Sequence, residues 1–273
     1  MASYINTNVS AMNTHRNLSY NTNQLSKTAE KLSSGYRINR AADDAAGLAI
    51  SEKLRYQING YNQASANAQD GISLIQTAEG ALTEVHSMLQ RLNTLATQAS
   101  NGTLKDEDRD QIQLEVDQLK SEISNIVAKT KFNGISLLSG SVASVTFQVG
   151  WENGTTINAS LGSGLNLTAL GLNDLSLSSS QGAQAALTSL QTAITTVSSQ
   201  RATFGAVQNR LEHTINNVGV SAENLSASES RIRDADIAKE MTEFTKYQIL
   251  TQAGTSMLAQ ANSLPQNVLS LLG

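Results

Sequence analysis

Between Leu190 and Ile232 every seventh residue is apolar: Leu190, Val197, Phe204, Leu211, Val218, Leu225 and Ile232. A seven-residue repeat held over so many turns keeps one narrow seam of a helix facing a partner along its whole length. It predicts a helix packed lengthwise, about 65 Å long at a rise of roughly 1.5 Å per residue. Such a helix draws most of its stability from packing, so another part of this chain or another chain must cover the seam.

A mate is present in the first half of the chain. Leu54, Tyr61, Ala68, Ile75, Leu82, Leu89 and Ala96 repeat at the same spacing, and Ile58, Ile72, Ala78, Val85, Leu92 and Ala99 widen the stripe until Asn101-Gly102 ends it. A third helix follows, capped by Asp106 or Asp108, with Ile112, Val116, Leu119, Ile123 and Ile126 on one face. The short link from Asn101 to Lys105 makes it run back antiparallel to the second seam. Composition agrees with long helices: in 273 residues the hydrophobic share is 40% but aromatics are only 4%, and there is one proline.

The middle of the chain changes period. Phe132-Asn133-Gly134-Ile135 marks a turn, and from Val145 the apolar spacing is two: Val145, Phe147, Val149 and Trp151, then Ile157, Ala159 and Leu161 after Thr155. A two-residue Asn153-Gly154 loop would mix the faces. A three-residue loop of Glu152, Asn153 and left-handed Gly154 pairs Val149 with Ile157, Phe147 with Ala159 and Val145 with Leu161, and is the expected hairpin. Residues 162–182, rich in Gly, Ser and Leu, read as loop with room for an extra strand.

Both ends carry thinner stripes. Ile5, Val9, Met12, Leu18, Leu25 and Leu32 lead to a stop at Ser33-Ser34-Gly35. Beyond Ile232 the phase slips at Arg233-Asp234-Ala235-Asp236, and a second thin stripe, Ile237, Met241, Phe244, Leu258 and Ala261, runs to Leu264-Pro265, where proline is expected to end the helix. Ordering a residue costs about 1–2 kcal/mol of backbone entropy. The ends are therefore expected to become helical only when neighbouring chains cover them. The fold class that results is mainly α: a long antiparallel coiled-coil helical rod with a small β-hairpin region, its terminal helices pairing into a second coiled coil on assembly.

The residues offer little for catalysis. His15, His86 and His213 are far apart in sequence and none has a second ligand at metal spacing; cysteines number 0, and the nucleotide, hydrolase and metalloprotease motifs are missing. Asp43-Asp44 are neighbours on a helix and point to different sides, which does not suit paired acid/base work. No cofactor or metal is expected and no enzyme. A net charge of -4 gives no basic field for nucleic acid. The opening residues MASYINTNVS lack a charged and then apolar signal, and no run reaches the roughly 18 apolar residues of a membrane span. Export would then proceed without a cleaved signal peptide, and membrane insertion is not expected. Two charged clusters remain, Arg37, Arg40, Asp43 and Asp44 before the first seam and Arg231, Arg233, Asp234 and Asp236 after the last. Antiparallel helices bring them to one end, either as ordinary solvated charge or as a contact between chains. On these grounds a coiled-coil binding module such as an adhesin stalk stands beside a self-assembling subunit.

Particular stretches narrow the choice. KLSSGYRINRAADDAAGLAISEK from Lys31 to Lys53, NAQDGISLIQTAEG from Asn67 to Gly80, and Phe132-Asn133-Gly134 resemble the N-terminal signature of bacterial flagellin. SSQRATFGAVQNRLEHTIN ending at Asn216, Glu223-Asn224-Leu225, ESRIRDAD from Glu229 to Asp236 and the tail LAQANSLPQNVLSLLG resemble its C-terminal signature. The likeness covers residues 1–140 and 185–273, in the family's order, and leaves a short middle, so the chain resembles a minimal flagellin without large outer domains.

The resemblance implies a structural subunit of the bacterial flagellar filament, secreted through the flagellar type III apparatus and polymerised for motility. It implies further copies of the chain, filament cap and hook-junction proteins, and an export chaperone on the C-terminal region as partners. It divides the chain into 1–40 and 236–273 for an inner tube, 41–140 and 186–235 for a core rod, and 141–185 for that rod's short β or variable region. It also implies recognition by the animal Toll-like receptor for flagellin, whose contact stretch falls on LQRLNTLATQ from Leu89 to Gln98, with Gln90, Arg91 and Leu95 in place and Glu115 on the third helix. Where many members carry a second Arg and a Glu, this chain has Asn93 and Thr94.

Overall fold

A computed structural model of the chain describes residues 7–162 and 164–270, with side chains as far as residue 263. Ile5, Ser163, the last three residues, and the side chains of Leu264 and Pro265 lie outside the described residues. The elements in order are α1 (Val9–Ser34), α2 (Ala45–Ala99), α3 (Asp106–Lys129), β1 (Lys131–Phe132), β2 (Ile135–Ser136), β3 (Ser144–Gln148), β4 (Thr156–Ser160), α4 (Ser180–Arg233) and α5 (Ile237–Ser270). The chain forms two compact units, Gln57–Glu223 and Met1–Tyr56 with Asn224–Gly273.

In the unit Gln57–Glu223 the heptad seams are the core. Leu190, Val197, Phe204 and Leu211 of α4 are fully buried, as are Ile75, Ala78, Leu82, Val85, Leu89, Leu92, Ala96 and Ala99 of α2. The pairing is antiparallel: Arg201 reaches Glu79 at 3.6 Å, while Leu211, further along α4, packs beside the earlier Gly71. Each large side chain buried this way contributes about 1.5–3 kcal/mol. α3 adds Val116, Ile123 and Val127 to the same core. Its cap is Lys105, not Asp106 or Asp108, because the helix begins a residue earlier than the acids suggest. Asp108 still serves the end from inside, accepting the Lys105 N–H at 3.2 Å. The α2–α3 turn is held by buried Arg109, which donates to the carbonyls of Ala99 (2.9 Å) and Asn101 (3.1 Å) and pairs with Asp106 at 2.7 Å. A cation at the carbonyl end of α2 satisfies groups that have no partner within the helix.

The β region sits on this core. Asn133 (φ 47) and Gly134 (φ 81) make the tight turn between β1 and β2 that suits a right-handed hairpin twist. In the second hairpin Phe147 faces Ile157 and Val145 faces Ala159, two residues away from the register expected from a three-residue loop. A shift of two keeps every side chain on its own face, so Phe147, Ile157 and Ala159 still point inward. The longer loop follows from Trp151, which leaves the strand to lie against α2. A Cβ on Gly60 would stand 2.4 Å from the Trp151 Cβ, so only glycine admits the indole there. Gly154 is left-handed, at φ 86.

Residues 164–179 contain no strand. They turn repeatedly, through left-handed Gly164 and Gly171, and so bring Leu165, Leu170, Leu172, Leu175 and Leu177 into the core without any period. Side chains of α3 fasten this segment: Gln113 accepts the Leu177 N–H at 2.6 Å and Lys120 donates to the Asn173 carbonyl at 2.9 Å.

In the other unit α1 and α5 lie antiparallel, with Lys31 bonded to Glu240 at 3.1 Å near one end and Asn8 to the Ala261 carbonyl at 2.8 Å near the other. Gly35 (φ 76) ends α1 as expected, its N–H closing on Lys31 at 2.8 Å. α5 does not end at Pro265 but continues to Ser270. A proline costs a helix one N–H, and the carbonyl left open by it is that of Ala261, which Asn8 takes up. Thr28 is the only buried residue of α1. Among the described residues, apolar burial between these two helices is correspondingly thin.

Phe204 fills the middle of the α4 seam, so Phe204→Ala is expected to lower stability by about 3–5 kcal/mol. Thermal melting of the unit Gln57–Glu223 within the full chain measures it; a melt unchanged by the substitution would place the core elsewhere.

Candidate interaction surfaces

The two charged clusters meet, and backbone brings them together. Tyr36 bridges Asp234 in antiparallel fashion, the Arg37 N–H donates to the Arg233 carbonyl at 2.7 Å, and the Ala235 N–H donates to the Gly35 carbonyl at 2.9 Å. The Arg37 guanidinium donates to the carbonyl of Ile232. Arg233 stands 4.8 Å over the Tyr36 ring and donates to Glu52 at 2.6 Å. The half-turn after α1 and the break between α4 and α5 are thus one joint, with a cation–π contact at its centre.

Most of the acids in the clusters are backbone acceptors. Asp43 takes the N–H groups of Asn39 (3.2 Å) and Arg40 (3.0 Å), Asp44 takes that of Gly47 (2.8 Å) at the start of α2, and Asp236 takes those of Ala238 (3.0 Å) and Lys239 (3.2 Å) at the start of α5. Carboxylates suit such positions because helix starts leave N–H groups unpaired. The Arg40 N–H holds the Asp43 carboxyl below its usual range against a smaller opposing effect of desolvation, with help from the Asn39 N–H and the charges of Lys27 and Lys31. That contribution is present at neutral pH and is lost as pH falls through the lowered value. Asp234 accepts the Ser230 hydroxyl at 2.6 Å, and Arg231 donates to Ser228 at 2.9 Å. Arg40 makes a two-pronged pair with Glu30 at 2.9 and 3.0 Å, and its side chain stays 71% exposed. Glu30, Glu52 and Glu240 were not among the expected site residues. Each sits in an ordinary polar position of its helix; Glu30 and Glu240 take their partners from another segment, and Glu52 takes Arg233 beside its local neighbour Arg55 at 3.4 Å.

On the other unit, Arg91 of α2 and Glu115 of α3 form a bidentate pair, with Nε–Oε1 at 2.7 Å and Nη2–Oε2 at 3.2 Å. The bond to Glu115, and then its charge, raises the Arg91 pKa above its ordinary value. Both side chains remain about half exposed. Gln90, the preceding residue of α2, is exposed, its amide donating to His86 Nε2 at 3.0 Å. Leu95 is only 2% exposed and belongs to the core beneath. Thus the structure brings Arg91 and Glu115 together, leaves Gln90 exposed with His86 as its partner, and places Leu95 in the core.

The terminal helices present a third surface. Val9, Met12 (64% exposed) and Tyr20 on α1, and Ile237, Met241, Ile249, Leu250 and Met257 (62% exposed) on α5, point large apolar side chains at solvent. These groups run along both helices, and exposed apolar surface in such number commonly marks a site of interaction. Among the described residues no three His, Cys, Asp or Glu side chains gather at a metal-sized site, and no helix is long and apolar enough to cross a membrane.

Comparison with known proteins bears on these surfaces. Residues 5–143 match the family model for the bacterial flagellin N-terminal helical region, and residues 187–272 match that for the C-terminal helical region. The chain is 54% identical to a flagellin of Halalkalibacterium halodurans, over 98% of this chain and 99% of that one. It is 49% identical to a flagellin of Bacillus subtilis and 48% identical to the flagellar filament 33 kDa core protein of Treponema phagedenis, with the same coverage in both cases. Among solved structures it is similar to the crystal structure of Bacillus cereus flagellin, with 36% identity and a TM-score of 0.51 over 60% of this chain and 94% of that one.

The joint around Arg233 yields a test. Arg233→Ala removes the Glu52 bond and the Tyr36 contact and is expected to cost about 1–2 kcal/mol, most of it from the cation–π contact because Glu52 is solvated. Arg233→Lys is expected to lose less. Amide exchange at Arg37 and Ala235, whose N–H groups close the joint, should quicken in the same order.

Proposed function

The chain belongs to the bacterial flagellin family and is a structural subunit of the flagellar filament, and from that premise we propose that its exposed terminal helices are the surface through which copies stack. The observation that carries this is the set of apolar side chains on α1 and α5 left in solvent by a single chain. Stacking buries them, and binding that occurs only in the ordered state stabilises that state. Residues 1–40 and 236–273 then form the inner tube, 41–140 and 186–235 the core rod, and 141–185 its β region. Arg37, Arg40, Asp43, Asp44, Arg231, Arg233, Asp234 and Asp236 sit at the joint between these parts, where Arg40, the most open of the paired cations, is the residue best placed to reach a neighbouring copy. Export through the flagellar secretion apparatus, a chaperone on the C-terminal region, and cap and hook-junction proteins complete the set of partners in this reading.

The sequence leads to the expectation that the ends become helical only on assembly, whereas α1 and α5 are helical and paired in the single chain. Their few buried side chains among the described residues offset little of the roughly 1–2 kcal/mol of backbone entropy per residue, so in this reading neighbouring copies supply the remaining stabilisation. A chain cut to about residues 45–235 is expected to melt cooperatively yet fail to elongate filament seeds, while the full chain elongates them. Seeded growth followed by light scattering and electron microscopy measures this; elongation by the shortened chain would sink the proposal.

We also propose that Gln90, Arg91 and Glu115 form the surface read by the animal Toll-like receptor for flagellin, with Leu95 holding that face from below. The supporting feature is an exposed, preorganised arginine, since binding energy tends to concentrate in a few arginine and aromatic anchors. Arg91→Ala is expected to weaken binding to the receptor ectodomain by roughly thirtyfold or more, the loss of about 2 kcal/mol typical of such anchors. Unchanged affinity, with helicity and melting intact, would remove Arg91 from the proposed surface.

A further inference from the structure

We infer that Asn8 and Pro265 together set the register in which α1 and α5 pair, so that the proline positions one helix on the other. The inference extends the reading of the terminal helices as the assembly surface. In an uninterrupted helix the Ala261 carbonyl would accept the N–H of the residue four places on. That residue is Pro265, which has no N–H to give, although α5 continues past it. Ala261 is only 5% exposed, so its open carbonyl faces the partner helix with little access to water. A buried carbonyl without a partner destabilises the state that leaves it open, because it gives up its bond to water and gains none in return. Asn8 supplies the missing donor: its Nδ2 reaches the Ala261 carbonyl at 2.8 Å while its Oδ1 accepts the Ala11 N–H at 3.0 Å and caps α1.

Both atoms of one amide are therefore in use, one for its own helix and one for the other. Two further contacts agree with this register. Leu18 packs so closely on Gly254 that a Cβ there would lie 3.2 Å from its Cδ1. Lys31 meets buried Glu240 at 3.1 Å. A slip of one helical turn, about 5.4 Å, breaks all three contacts and leaves the Ala261 carbonyl empty. Among the described residues apolar burial between these helices is thin, so it discriminates poorly among registers, and the open carbonyl adds discrimination that this burial lacks.

The test is a rescue. Asn8→Asp retains an oxygen that caps α1 as well as asparagine does, but it has no N–H to donate. In the full chain it is expected to raise the lowest monomer concentration that elongates filament seeds by roughly tenfold. Pro265→Ala restores an N–H that closes the Ala261 carbonyl within α5. Adding Asn8→Asp to Pro265→Ala is then expected to change the threshold by no more than about twofold, the non-additivity of residues that share a partner. An Asn8→Asp chain that elongates like the unmodified one overturns the inference, and so does an equal penalty in both backgrounds. Where Pro265→Ala slows growth by itself, the same comparison is read from the fraction of each variant taken into filaments grown with excess unmodified chain. Unmodified chain in parallel separates the two readings: its failure to elongate counts against assembly through the terminal helices, whereas additive penalties beside normal growth count only against the register device.

Discussion

Everything in the unit Gln57–Glu223 depends on the burial of one apolar seam between α2 and α4. The seam is built from residues of quite different size, with Phe204 and the leucines set among Ala78, Ala96, Ala99 and Ala193. Alternating bulk of this kind lets side chains interdigitate at the density of a protein interior, which is what makes a long pairing unique in register. α3, the second hairpin and the leucine-rich segment 164–179 then complete the same core. Each covers apolar surface that the helix pair leaves open, and each is fastened by side chains of a neighbour, Arg109, Gln113 and Lys120 among them.

The terminal helices follow a different physical rule. Among the described residues α1 buries a threonine and α5 buries Glu240 and Ala261, so the apolar contribution to pairing there is small. Their arrangement rests on directional contacts: the Lys31–Glu240 pair, the Asn8 amide, and the joint of Arg233 with Tyr36 and Glu52. Directional contacts specify geometry well and add little net stability, because each exchanges a bond to water for a bond to protein. That balance fits a segment of a filament subunit. On the proposal that copies stack through these helices, the surface is one its own chain leaves partly uncovered and yet holds in a defined shape.

The candidate sites differ in how far they can be read from residues alone. The positions around Arg91 came from family resemblance alone, and their order was not legible from the residues: Arg91 and Glu115 are a bidentate pair, and Leu95, named beside Gln90 and Arg91 as a contact, faces inward with Leu92. The meeting of the two charged clusters was legible from antiparallel pairing. Their chemistry was not, since Asp43, Asp44 and Asp236 are occupied by backbone N–H groups and the cation that matters most at the joint, Arg233, takes partners from α2 and from Tyr36. Sequence carries residue type and spacing, whereas ion pairing depends on which distant segment arrives opposite.

Period and punctuation are local properties, and they were sufficient to define the helices, their faces and the main breaks. The sevenfold repeats and their flanking stripe picked out the centre of the buried face, from Ala68 to Ala99 on α2 and from Leu190 to Val218 on α4, because a helix of fixed pitch turns spacing directly into a face. They passed over Ala64, Leu74, Leu95, Ala183, Ala186, Ala193 and Val207, and they included Leu54, Tyr61, Leu225 and Ile232, which are only half-buried. Gly35, the break at residues 233–236, the Asn133-Gly134 turn and left-handed Gly154 likewise followed from backbone preference. Tertiary structure decided what local preference leaves degenerate. The β3–β4 register moved by two residues because both registers keep the same faces and the packing of Trp151 on Gly60 selects between them. Residues 164–179 entered the core without a period, because an irregular backbone held by neighbouring side chains can aim leucines that no repeat announces. α5 passed through Pro265 because the bond that proline removes from its own helix is supplied by a residue more than two hundred and fifty positions away.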